Sequence, residues 1–135
     1  MNRWRTFGLV LGVVGLADAI YLATESLNPQ IPLYCPAVGL VNCGYVTSST
    51  YSRFAGVPVA ALGVGWFALM LALVALDRPG PNYALIPLWL LGVVSVGYLA
   101  SVEIFVVHSI CPYCTFAHVA GLLMGVPAFK LALAD

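Results

Sequence analysis

Four long apolar runs decide what this chain can become. They cover about residues 7–27, 56–76, 83–107 and 111–133. Helices of roughly 20 residues rise about 30 Å, the thickness of a bilayer's hydrocarbon core. Inside lipid a backbone must satisfy its own hydrogen bonds, and a helix does so within one segment. Composition points the same way: 62% of the 135 residues are hydrophobic and 7% charged, whereas a soluble domain carries about 25% charged residues. The mean hydropathy is +1.02. The expected fold is an all-α integral membrane protein, a bundle of four antiparallel transmembrane helices making one domain over residues 1–135. A formal net charge of zero removes the electrostatic footprint that nucleic-acid binding needs.

The first run follows Arg3 and Arg5. A basic start before an apolar core is also what a secretory signal peptide shows. This run is longer than such a core and holds Asp18, so it reads as a retained helix. Residues 28–55 form a structured loop outside the bilayer, because Pro29, Pro32, Pro36, Gly39, Gly44 and the Thr47-Ser48-Ser49-Thr50 cluster are turn and cap residues. The end of that loop, Ser49 to Phe54, reads as a short amphipathic half-helix capped by Ser48 or Ser49. Pro58 falls in the first turn of the second span, where a missing N–H is tolerated. Pro87 interrupts the third. Asp77 to Asn82 makes a tight polar turn.

Orientation follows from the basic residues. Arg3, Arg5, Arg78 and Lys130 lie on one side of the four spans, and the long loop holds only Arg53. The positive-inside rule then puts both termini in the cytoplasm of a multi-pass protein of the cell membrane. All four cysteines fall on the extracytoplasmic face, where disulfides persist.

Those cysteines form two pairs. Cys111-Pro112-Tyr113-Cys114 opens the last span, and a helix N-terminus offers free N–H groups and a partial positive charge to a thiolate. Cys-x-x-Cys pairs in such settings are redox machinery. Cys111, Cys114 and His118 fall at i, i+3 and i+7 and so share one helical face. Cys35 and Cys43 sit in the long loop. Four thiolates can also hold zinc, which would make the chain a non-enzymatic membrane protein with a four-cysteine metal site. The Pro-Tyr insert and the helix opening favour exchange over metal. A static Cys35–Cys43 disulfide, closing a loop of nine residues, would gain about 2.5 kcal/mol, and the flanking prolines and glycines suit a mobile shuttle equally well. Asp18 and Glu103 are acids inside apolar spans, a placement that usually marks function. Helix rise brings both to roughly the depth of His118, about 10 Å below the outer surface. They read either as caps and snorkelling side chains or as a buried polar cluster that supplies protons. His108 reads as a solvated rim residue, and Trp66, Phe67, Tyr98, Phe105 and Phe116 as packing or lipid-facing, with Phe116 a candidate for lining a ligand.

The joint spacing resembles a known family. Cys35-x7-Cys43, then Cys43-x5-Ser49-x-Tyr51-x4-Gly56-Val57-Pro58, then a Cys-x-x-Cys opening the last span, is similar to the prokaryotic members of the vitamin K epoxide reductase family. The resemblance covers nearly the whole chain. It implies a four-helix bundle around a quinone (menaquinone, ubiquinone or a vitamin K-like ring) that accepts electrons taken from thioredoxin-like partners, in support of disulfide-bond formation. By that resemblance Cys35 and Cys43 are the shuttle pair and Cys111 and Cys114 the active-site pair. Cys43 exchanges with Cys111, Cys114 is nearest the quinone, and no metal is implied. Ser49 matches the serine after the second loop cysteine. Animal members carry tyrosine where this chain has His118, and Val59 stands about where they carry a quinone-contacting asparagine. The candidate quinone-binding set is His118, Ser49, Phe116 and Val59. Many bacterial members carry a fused thioredoxin-like domain, and a chain ending at Asp135 without one implies a separate partner. In the unrelated bacterial four-helix disulfide oxidase the two cysteine pairs occur in the reverse order.

Overall fold

The computed structural model describes residues 3–27, 53–54, 56–76, 83–108 and 112–133. These are almost entirely helical. In chain order they form α1 (Arg3–Leu27), a ribbon of β1 (Arg53–Phe54) and β2 (Val57–Pro58), and α2 (Val59–Ala75). Then come α3 (Leu85–Ser101), a π-helical segment (Val102–Val107), α4 (Pro112–Leu123) and α5 (Gly125–Ala132). Three stretches are long and apolar enough to cross a membrane: Arg3–Thr24, Leu85–Val106 and Pro112–Ala132. The fourth apolar helix, α2, is shorter: its 17 residues rise about 25 Å.

The expected boundaries shift for local reasons. α1 begins at Arg3, so the polar lead is helical too. α2 begins three residues later than the apolar pattern suggested. Pro58 is its cap residue, with φ −58° and ψ 135°, and therefore lies outside the first turn. The preceding Gly56 takes φ +84°, a left-handed conformation that glycine adopts without strain. That turn pairs Arg53 with Pro58 and Phe54 with Val57 antiparallel. Arg53 and Phe54 are thus strand rather than the end of a half-helix; Ser48 to Ser52 lie outside the described residues, as does the 77–82 turn. Pro87 does not interrupt α3. It is the third residue of the helix, where an N–H would have no intrahelical partner. The last span passes from α4 to α5 through a turn residue, Met124, whose N–H donates to Ala120 O at 3.1 Å and whose carbonyl accepts from Ala128 N–H at 3.0 Å. Pro127 lacks the N–H that would continue the ladder to Leu123 O.

Small residues set the closest approach. Gly8, Gly12, Gly15 and Ala19 form one stripe of α1, and all are buried. A Cβ built on Gly8 would stand 3.0 Å from Val74, one on Gly12 2.7 Å from Leu71, and one on Gly15 would enter the Phe67 ring. This descending register makes α1 and α2 antiparallel, at the short separation that small residues permit between helices in lipid. Two tryptophans join the remaining helices. Trp66 on α2 donates its indole N–H to Leu88 O on α3 at 2.8 Å, and its ring fills the space a Cβ on Gly92 would take. Trp89 on α3 does the same to α4, donating to Gly121 O at 3.2 Å and Leu122 O at 3.3 Å with its ring against Gly125. In both cases the glycine lies four residues after an accepting carbonyl, so the missing side chain opens that carbonyl to the indole.

The main core, Met70, Val74, Leu85, Met124, Ala128 and Leu131, sits where α1 begins and α5 lies. The same end is basic. Arg3 and Lys130 each place their charge 5.2 Å from the Trp4 ring centroid, and Arg5 donates to Leu76 O at 3.4 Å. Val10, Val13, Val14 and Ile20 of α1 and Leu91, Val94 and Tyr98 of α3 are exposed, an apolar belt suited to lipid. Within it the hydroxyls of Thr24, Ser95 and Ser101 bond back to carbonyls four residues earlier, at 2.8, 2.9 and 2.7 Å, and so carry no polar debt into the hydrocarbon.

Candidate functional site

Cys114, the described member of the Cys-x-x-Cys pair, lies toward the end of the bundle opposite the basic cluster. α4 opens at Pro112, a residue suited to a first helical position because its φ is preset and its missing N–H is not needed. Tyr113 packs edge-on against Tyr21 of α1, ring centroids 5.2 Å apart. This aromatic pair fixes the start of α4 against α1. Cys114 follows in the first turn, half-buried, and His118 is half-buried one turn deeper on the same side. Of the other candidates, Val59 is partly buried at the start of α2. Phe116 is 48% exposed, because two residues along a helix turn it away from Cys114. Cys35, Cys43, Ser49 and Cys111 lie outside the described residues.

Two acids approach this end. Glu103, in the π-helical segment, is 7% exposed, the one buried polar or charged side chain among the described residues. Asp18 on α1 is half-buried, and its Oδ2 is buried without a hydrogen-bond partner. No three His, Cys, Asp or Glu side chains among the described residues converge closely enough to hold a metal ion, so Asp18, Glu103 and His118 do not form the tight polar cluster that the sequence offered as one reading. The π segment ends at His108, exposed and at φ 58°, whose N–H reaches back to Glu103 O. Histidine is among the residues that tolerate this left-handed conformation.

The sequence pattern missed two things here. One is the Tyr21–Tyr113 pair; an aromatic inside the motif and another near the end of the first span were its only signal. The other is the π segment, because the apolar residues Val102 to Val107 read equally well as α-helix.

Residues 7–129, nearly the whole chain, match the Vitamin K epoxide reductase family. The chain belongs to that family. Vitamin K epoxide reductase family members are membrane oxidoreductases that act on thiols with quinones, and membership suggests the same class of chemistry for this chain. The apolar helices fit that membrane setting.

Proposed function

We propose that this chain is a membrane thiol–quinone oxidoreductase of four membrane-spanning helices forming one domain. The observation that carries the reading is Cys114: a half-buried cysteine in the first turn of a membrane-length helix, with His118 on its face. A quinone is the electron-accepting substrate, taking up two electrons and two protons as it becomes a quinol. The residues at this end suit such a ring: partly buried Val59, Val64 and Ala117 offer apolar walls, and His118 offers a ring N–H to a carbonyl oxygen.

Cys35 and Cys43 take electrons from a separate thioredoxin-like partner, Cys43 passes them to the Cys111–Cys114 disulfide, and Cys114 is the sulfur nearest the quinone. The direction is set by potential: each 30 mV is about 1.4 kcal/mol for two electrons, and quinones lie well above protein dithiols. Both termini are cytoplasmic and the cysteines extracytoplasmic, in keeping with the Arg3, Arg5 and Lys130 cluster at the opposite end. Phe116 and Ser49 complete the proposed quinone-binding set on the strength of the family resemblance alone.

The test is quinone reduction by the purified protein in detergent, with either a protein dithiol or dithiothreitol as donor. Cys114→Ser abolishes turnover with both donors, and Cys35→Ser abolishes it with the protein dithiol alone. A Cys114→Ser variant that still reduces quinone at the parent rate overturns the proposal.

A further inference from the structure

The basic end of the bundle gathers more positive charge than its own packing uses. Arg3 opens α1 and Lys130 lies in the last turn of α5, yet each sets its charge 5.2 Å from the centroid of the same Trp4 ring. The two cations are therefore at most twice that distance apart. Both side chains are exposed, and the indole they share is half-buried. Arg5 is employed differently, donating to Leu76 O at the carbonyl end of α2.

Negative charge is scarce nearby. The first turn of α1 holds no acid, although a helix N-terminus carries a partial positive charge that suits an anion better than an arginine. Asp18, the first acid along α1, is about 22 Å from Arg3 by helix rise. Glu103 is about 25 Å along its helix from Leu85, a core residue of the basic end. In the sequence, Asp77 and Asp135 accompany Arg3, Arg5, Arg78 and Lys130 on this side of the four spans, so basic residues outnumber acids two to one.

Below the cations the surface turns apolar. Phe7, Val10 and Val14 follow Arg3 at intervals of four, seven and eleven residues, hence on its face of α1, and all three are exposed. Val126, four residues before Lys130, is exposed too. Between these strips the helices touch, a Cβ on Gly8 standing 3.2 Å from Pro127. A cationic mouth above two apolar strips has the chemistry of a phospholipid, charged at one end and apolar along its chains.

We propose that Arg3 and Lys130, with the Trp4 indole between them, hold the phosphodiester headgroup of an anionic phospholipid whose acyl chains lie along the two strips. A guanidinium matches phosphate oxygens bidentately and an ammonium adds a point charge; basic pockets between membrane helices bind anionic headgroups in this way. Indole rings favour the headgroup level of a bilayer, and cation–π contact holds both cations ready. A free phosphate would meet the same cations but gain nothing from the strips. The bound lipid joins α1 to α5 and stabilises the folded bundle by mass action.

The test uses the full chain in an uncharged detergent, with dioleoylphosphatidylglycerol or dioleoylphosphatidylcholine added to the micelles. Native mass spectrometry counts bound lipid, and thermal unfolding reads its effect. Phosphatidylglycerol should bind more tightly and raise the melting temperature, while phosphatidylcholine, with identical chains, should do neither. One basic residue at an anionic surface is worth roughly 5-fold in affinity, so the double variant Arg3→Gln/Lys130→Gln should lose roughly 30-fold and Lys130→Arg little. Equal binding of the two lipids overturns the proposal, as does a double variant within 3-fold of the parent. An equal rise in melting temperature from inorganic phosphate at the same concentration overturns the lipid assignment. Should the double variant not fold, salt decides on the parent protein: tenfold more salt should remove most of the preference for phosphatidylglycerol, and a preference indifferent to salt overturns the proposal.

Discussion

Gly15→Ala measures how tightly the first two helices are locked. A Cβ on Gly15 would overlap the Phe67 ring, with three ring carbons inside van der Waals contact. The ring cannot retreat easily: Phe67 is 4% exposed and meets the Trp66 ring edge-on at 4.9 Å, while Trp66 is tied to Leu88 O. Overpacking of this type costs about 1–3 kcal/mol, and a rigid neighbour puts Gly15→Ala near the top of that range. Replacing glycine by alanine inside a helix returns about 1 kcal/mol, leaving a net loss of about 2 kcal/mol. Gly65→Ala is the control, on the adjacent helix with open space around its Cβ; it should gain the propensity term, up to about 1 kcal/mol. Thermal unfolding in detergent, followed by tryptophan fluorescence, should therefore rank Gly65→Ala above the parent and Gly15→Ala below it, about 3 kcal/mol apart. Adding Phe67→Leu to Gly15→Ala should relieve the clash, so the double-mutant cycle should show coupling of 1 kcal/mol or more. Equal stabilities for Gly15→Ala and Gly65→Ala, or a cycle with no coupling, would refute the packing argument.

Trp66→Phe should lower stability by roughly 1 kcal/mol through loss of the bond to Leu88 O, and Gly92→Ala should be better tolerated in Trp66→Phe than in the parent; unfolding midpoints check both. After reduction, single-cysteine variants retaining Cys35, Cys43, Cys111 or Cys114 should react with an impermeant thiol reagent from the extracytoplasmic side; labelling from the cytoplasm alone would reverse the proposed orientation. His118→Phe removes the donor one turn below Cys114, so quinone turnover should fall roughly 10²- to 10⁴-fold while thiol exchange between the cysteine pairs survives. His118→Tyr, which keeps a donor, should retain much of the rate. A lowered melting temperature with normal quinone kinetics in His118→Phe would make that residue a packing group only.

Apolar run length was enough to find the helices, and the Cys-x-x-Cys spacing was enough to put Cys114 and His118 on one side of the last one. What the pattern could not carry was local backbone geometry. Gly56, Val57 and Pro58 are as apolar as the helix they precede, so composition placed them in the second span; only the positive φ of Gly56 and the extended ψ of Pro58 separate them. Val102 to Val107 hides a change of helix type for the same reason. The tryptophan–glycine contacts were invisible because they join residues 26 and 36 positions apart, across helices whose rotation the sequence alone does not fix.

Packing divides the bundle in a way that bears on its chemistry. Met70, Val74, Leu85, Met124 and Pro127 are each below 2% exposed, and all lie toward the basic end, where the Gly8 contacts with Val74 and Pro127 draw α1, α2 and α5 together. Toward Cys114 the cover is mixed: Ala19, Leu22, Ala23 and Glu103 are buried, but Asp18, Tyr21, Val59, Val64, Ala117 and His118 are all half-buried. A side chain fully enclosed by its neighbours makes many dispersion contacts and resists displacement. A half-buried one keeps surface for a ligand and room for rotamer change. On the proposed reading both properties are needed at once, because Cys114 must meet its partner sulfur and then a planar ring while the four helices hold register. The tight half supplies the register, through the glycine stripe and the two indole bonds, and the looser half leaves the reacting sulfur accessible. Filling the looser half should therefore hurt activity before stability, and loosening the tight half should do the reverse.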